Sequence, residues 1–143
     1  MKISRAEYIH EFGPKTDFIH LASAVTAAIF AAVLGSYVVG LAMMRFGSAG
    51  SIALWGLGAA TGFIVTRFIA RGEGLAWLLA TSIVLAMLLG QIHWVRWNSV
   101  GYGSWSNAAA GLGVYFRLYS TESLIALIFA IGGAMSAFRQ AAR

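Results

Sequence analysis

Apolar residues in this chain fall into long runs, and short clusters between the runs hold most of the charge. No charged side chain occurs from residue 18 to residue 44. Such a stretch exceeds the roughly 20 residues that a helix needs to cross about 30 Å of hydrocarbon. Further runs lie at 52–69, 75–93 and 122–138. Inside a bilayer every backbone N–H and C=O must be bonded within the chain, so each run is predicted to be a helix. The pattern predicts an all-α integral membrane protein, one transmembrane domain over residues 1–143 with four spans at 18–44, 52–69, 75–93 and 122–138. The fourth run is the shortest and barely crosses, so snorkelling or local thinning would have to cover the mismatch.

Outside the spans, Ile3, Ala6, Ile9 and Phe12 recur every three residues with charges between them. That spacing predicts a short N-terminal helix lying in the membrane interface, ended by Gly13 and Pro14, with Thr16 or Asp17 capping the first span. Residues 47–51 and 71–74 read as turns. The longest connection, 94–119, holds Trp94, Trp97, Tyr102, Trp105, Tyr115, Phe116 and Tyr119, with glycines at 101, 103, 111 and 113. Trp and Tyr settle at the headgroup level, so an aromatic-rich loop at the membrane surface is expected, shallowly re-entrant or with a short helix over 107–118. A connection of this length is also where a ligand platform would sit.

Composition sharpens this picture. The chain is 59% apolar and 10% charged, whereas a soluble domain carries about 25% charged residues to wet its surface. A formal charge of +5 would suggest nucleic acid in a soluble protein. Here the basic residues sit at the edges of apolar runs, where they act as topology signals and meet the lipid bilayer's headgroups, and no nucleic-acid partner is expected. Lys2, Arg5, Lys15, Arg67, Arg71, Arg139 and Arg143 fall on one side of the predicted topology; Arg45, Arg96 and Arg117 fall on the other. The retention of basic flanks therefore places both termini in the cytoplasm. Glu7, Glu11 and Asp17 are incompatible with a basic leader, so the first run reads as an uncleaved span. Residues 56–90 resemble bacterial membrane proteins in cadence, without pointing to a named family or activity; the location expected is a bacterial inner membrane.

Candidate chemistry is sparse. With no cysteine, disulfides, thiolate metal sites and thiol catalysis are excluded. No Asp, Glu, Lys or His lies near a span midpoint, and such groups are what ion-coupled transporters use to bind and release cargo. The chain resembles small four-helix drug exporters in size, but those are built around a carboxylate in their first helix and 18–44 has none. His10, His20 and His93 are possible haem or metal ligands by type. The predicted topology separates His20 from His93 by the bilayer, and Gly13-Pro14 lies between His10 and His20, so no cofactor is expected. Neither a Ser-His-Asp set nor a paired-carboxylate arrangement is visible, and catalysis is not expected.

The clearest pattern concerns packing. Ala24, Ala28, Ala32, Ser36 and Gly40 recur every four residues in the first span, Gly58 and Gly62 do so in the second, and Ala126, Ala130 and Ala134 in the fourth. Small residues at this spacing form a groove that lets another helix approach closely. The partners expected are other membrane helices, within the chain, in a homo-oligomer or in a larger membrane complex. The reading is a non-catalytic polytopic membrane protein, an accessory subunit or self-associating helical unit. The alternative is an oligomeric passive channel or small-solute transporter in which Thr61, Thr66, Thr81 and Ser82 line a shared path. A haem-binding electron-transfer subunit ranks behind both.

Overall fold

A computed structural model of the protein describes residues 5–69, 71–98 and 105–142, with side chains from residue 22 onward. All elements among the described residues are helical: α1 (Arg5–Phe46), a 3₁₀ turn (Gly47–Ile52), α2 (Ala53–Phe68), α3 (Glu73–Asn98), α4 (Trp105–Leu118) and α5 (Ser120–Ala142). Three helical stretches are long and apolar enough to cross a membrane: Ala22–Phe68, Glu73–Asn98 and Ser120–Ala142.

The first of these is folded back on itself. Gly47 adopts a left-handed φ of 61°, a conformation that a Cβ would disfavour and that turns the chain out of α1. Three residues on, Gly50 seats against the backbone of Ala42, leaving no room for a side chain. Beyond the turn, α2 runs antiparallel to α1, so that Gly35 faces Leu57 and Ala27 lines the same groove as Val65.

Sequence neighbours are not the main packing partners. α1 packs most extensively on α3, α2 on α5, and α3 on α5, while the α1–α2 contact is smaller. Among the described residues α1 does not touch α5, so the four long helices form a ring in the order α1, α3, α5, α2. In the α3–α5 pair, the Gly72 N–H donates to the Ala141 carbonyl at 2.8 Å, Trp77 stands edge-on to Phe138 at 4.9 Å, and Ile83 meets Gly133. Those three contacts fix an antiparallel register. The α2–α5 pair is parallel instead, with Gly58 on Gly133 and Gly62 on Ala137.

Three expectations need correction. The short N-terminal helix ended by Gly13-Pro14 is not separate, because α1 is continuous from Arg5, and Thr16 and Asp17 lie inside it. Proline removes one backbone donor and strains one turn; the bonds on either side persist, and the helix continues into the apolar run. The 94–119 connection is mostly helical and not a long loop. α3 extends to Asn98, α4 occupies Trp105–Leu118, and only Tyr119 separates α4 from α5. Ala108, Gly111 and Tyr115 are its buried residues, spaced as one face of an amphipathic helix. Tyr102, Gly101 and Gly103 lie outside the described residues. Lastly, α5 has 23 residues, which at 1.5 Å each gives about 34 Å. The helix thus runs beyond 122–138 at both ends, with Arg139 and Gln140 continuing it, and is long enough to cross.

Candidate functional site

Close approach of backbones organises the interior. In the α1–α3 seam, a Cβ on Gly40 would lie 3.1 Å from the Trp97 ring and 3.2 Å from the Gly90 carbonyl, and one on Gly90 would lie 3.0 Å from Val39 Cγ1. In the α2–α5 seam, Gly58 touches the Gly133 backbone directly, and a Cβ on Gly62 would come within 2.9 Å of Ala137 Cα. Gln140 reinforces this seam, its side-chain amide donating to the Ala59 carbonyl at 3.1 Å.

Ala24, Ala28, Ala32, Ser36 and Gly40 are all buried in this bundle, as are Gly58 and Gly62 on α2. Ala126 and Ala130 are fully covered on α5, whereas Ala134 is only half-buried. Gly133, Ala137 and Ala141 continue the covered stripe in its place. The reason is geometric. With 3.6 residues per turn, steps of four rotate steadily around the helix, and a step of three is needed to bring the stripe back to one neighbour. The Gly133-to-Ala137 pair was legible as small residues four apart.

One seam stays open. Between α1 and α2 lies a groove of about 330 Å³ lined by Ala27, Ala31, Gly35, Leu57, Thr61 and Val65 among others. Its lining is almost wholly apolar. Phe30 and Leu34 flank it and are 59% and 57% exposed, which leaves the seam accessible from outside the bundle.

The hydroxyls lie on different faces of the chain. Thr66 donates to the Gly62 carbonyl, Thr81 to Trp77 and Ser82 to Leu79, each within its own helix. Thr81 is exposed, Ser82 is buried, and Thr61 faces the α1–α2 groove. A polar group that sequence reasoning passed over is Gln91, whose side chain is fully buried with neither amide atom hydrogen-bonded. Its signal was a lone amide in an otherwise apolar run.

At one end of the bundle aromatic rings gather around His93. Tyr37 lies 4.0 Å from the imidazole, Trp105 4.7 Å and Trp97 5.2 Å, centre to centre. Enclosed this way, at 1% exposure, the imidazole is a packing element that ties α1, α3 and α4 together. The side chains of His10 and His20 lie outside those described. Among the described residues no three His, Asp or Glu side chains gather in a metal-binding group. A second cluster joins Trp94, Tyr115 and Tyr119 at 5.2–5.4 Å, and Arg96 stacks its guanidinium 4.4 Å over Trp105. Burial pushes the Tyr115 phenol up from its ordinary value, and the negative charge of Glu122 adds to the shift.

The opposite end is basic. Phe63, Thr66 and Arg67 of α2, Arg71 just before α3, and Gln140 of α5 line a recess of about 290 Å³. Arg139 belongs to the same end, because Gly72 is bonded to Ala141 there. Comparison with known proteins adds no likeness: no family model, curated protein or solved structure matches the chain.

Proposed function

We propose that the chain is a four-pass membrane protein that works without catalysis, as an accessory subunit or self-associating unit engaging neighbouring membrane helices. The observation that carries this reading is the open α1–α2 seam. Lipid gives helices no hydrophobic reason to associate, so contact depends on small residues that let backbones close in. The α1–α3 and α2–α5 seams of the ring are closed in that way within the chain, while Ala27 and Ala31 line a groove that none of the described residues fills. The scatter of Thr61, Thr66, Thr81 and Ser82 over different faces favours packing over a polar conduit.

Four passes are supported by length and by the fold-back. α2 alone, with 16 residues, spans about 24 Å. The preceding six residues of 3₁₀ turn add roughly 2 Å each, enough to complete a crossing. Both termini are assigned to the cytoplasm of a bacterial inner membrane. On the four-pass reading, Lys2, Arg5, Lys15, Arg67, Arg71, Arg139 and Arg143 fall on one side of the topology, against Arg45, Arg96 and Arg117 on the other, and basic flanks are retained inside.

Single cysteines are easily placed in a chain that has none. In intact cells, an impermeant thiol reagent should label a cysteine at Trp105 and leave one at Arg71 unlabelled; the reverse pattern would invert the orientation. For the role itself, the protein extracted in mild detergent should run at the mass of an oligomer or of a complex with another membrane protein. A lone monomer under every mild condition would defeat the proposal.

A further inference from the structure

The basic recess between the ends of α2, α3 and α5 is distinct from the seams that carry the proposed role. Two guanidiniums, Arg67 and Arg71, line it, and its described lining contains no carboxylate. Both are exposed, whereas Thr66 and Gln140 at the same recess are half-buried. Thr66 has already donated its hydroxyl proton to the Gly62 carbonyl at 2.7 Å, so toward the recess its oxygen can only accept. Gln140 is anchored to the Ala59 carbonyl, which holds one wall rigid. Phe63, one turn of α2 before Arg67, is 60% exposed and completes the lining on the apolar side. The recess thus has cations at the end of a membrane-crossing helix and, one turn nearer the middle of that helix, an exposed aromatic ring.

That gradient from charge to apolar surface matches an amphiphile. We propose that the recess binds the phosphate of an anionic phospholipid, with Arg67 and Arg71 pairing the phosphate oxygens and Phe63 lying along an acyl chain. Guanidinium forks suit phosphate because they offer planar, paired donors. Free inorganic phosphate would satisfy the arginines equally well but would leave Phe63 with nothing to cover it. The site rests on reading α2 as a membrane-crossing element and is independent of which side the recess faces.

The test uses the full-length protein reconstituted in bilayers of phosphatidylcholine containing one part in ten phosphatidylglycerol, released into the gas phase for native mass measurement. The wild type should retain phosphatidylglycerol in preference to phosphatidylcholine. Each basic side chain near an anionic surface is worth about fivefold in partition, so Arg67→Gln with Arg71→Gln should lower that retention by about 25-fold. Arg45→Gln with Arg117→Gln, which removes the same charge from the opposite end, should leave it unchanged. Equal loss in both double variants would reduce the effect to net charge and overturn the site. Displacement of the lipid by millimolar inorganic phosphate would overturn the assignment to phospholipid. Equal retention of both lipids by embedded wild type would remove the site while leaving the four-pass reading intact, whereas failure to enter bilayers would remove both.

Discussion

The α2–α5 and α1–α2 seams share one helix and differ in almost everything else. In the first, Gly58 and Gly62 lie against Gly133 and Ala137 with no space for an added carbon. In the second, among the described residues only Gly35 makes such an approach, against a flexible Leu57 side chain, and a groove of about 330 Å³ runs beside it. The helices that are consecutive in sequence are the loosely joined ones; the tight pair is separated by α3 and α4. Connection through a short turn keeps α1 and α2 adjacent without close packing, but α2 and α5 have no such tether. Their association comes from backbone contact and dispersion, reinforced by the Gln140–Ala59 hydrogen bond, and contact that close demands glycine.

The contrast can be broken most severely at Gly58. Gly58→Val puts branched carbon onto the Gly133 backbone, and overpacking of that order costs about 3 kcal/mol or more; thermal or denaturant unfolding in detergent should show it as loss of the folded form. An unaltered midpoint would mean that the seam opens without penalty. Next comes Ala28→Leu in the core cluster, expected to cost about 1 to 3 kcal/mol in the same assay, in the monomer as well as in any assembly. The smallest effect is expected for Ala31→Leu in the open groove, less than about 0.5 kcal/mol in stability, together with a fall in assembled mass. Should Ala31→Leu destabilise as much as Ala28→Leu, the groove would belong to the fold and the difference between the seams would vanish.

Much of this arrangement can be read from residues alone, and the limits have physical causes. Apolar runs locate the long helices because lipid leaves the backbone no other choice. Small residues at four-residue spacing mark which faces are buried, as Ala24 to Gly40 and Gly58 to Gly62 illustrate. They do not say against what, since any small surface suits any other; that Gly58 meets α5 and not α1 emerges only in three dimensions. Ala134 shows a finer limit, because a periodic sequence does not announce where the register drops a residue. α4 falls where one reading of the 94–119 connection put a short helix over 107–118, although its glycines at 111 and 113 depress helix propensity and Gly111 is one of the residues it buries. Of the basic recess, Arg67 was visible as a headgroup contact, but Gln140 joins it only because α5 runs parallel to α2.

The parallel pairing of α2 with α5 also has a temporal meaning. Gln140 bonds to a carbonyl made 81 residues before it, and ribosomes extend chains at about 5–20 residues per second. The glycine face of α2 therefore exists for roughly 4 to 16 s before its partner is synthesised. During biogenesis that face is a bare adhesive strip, open to the wrong helix or to a chaperone, and a translational pause before α5 would lengthen the exposure. Of the described helices α5 is made last and closes the ring, and a chain stopped short of Gly133 would enter the membrane with the α2–α5 seam unmade.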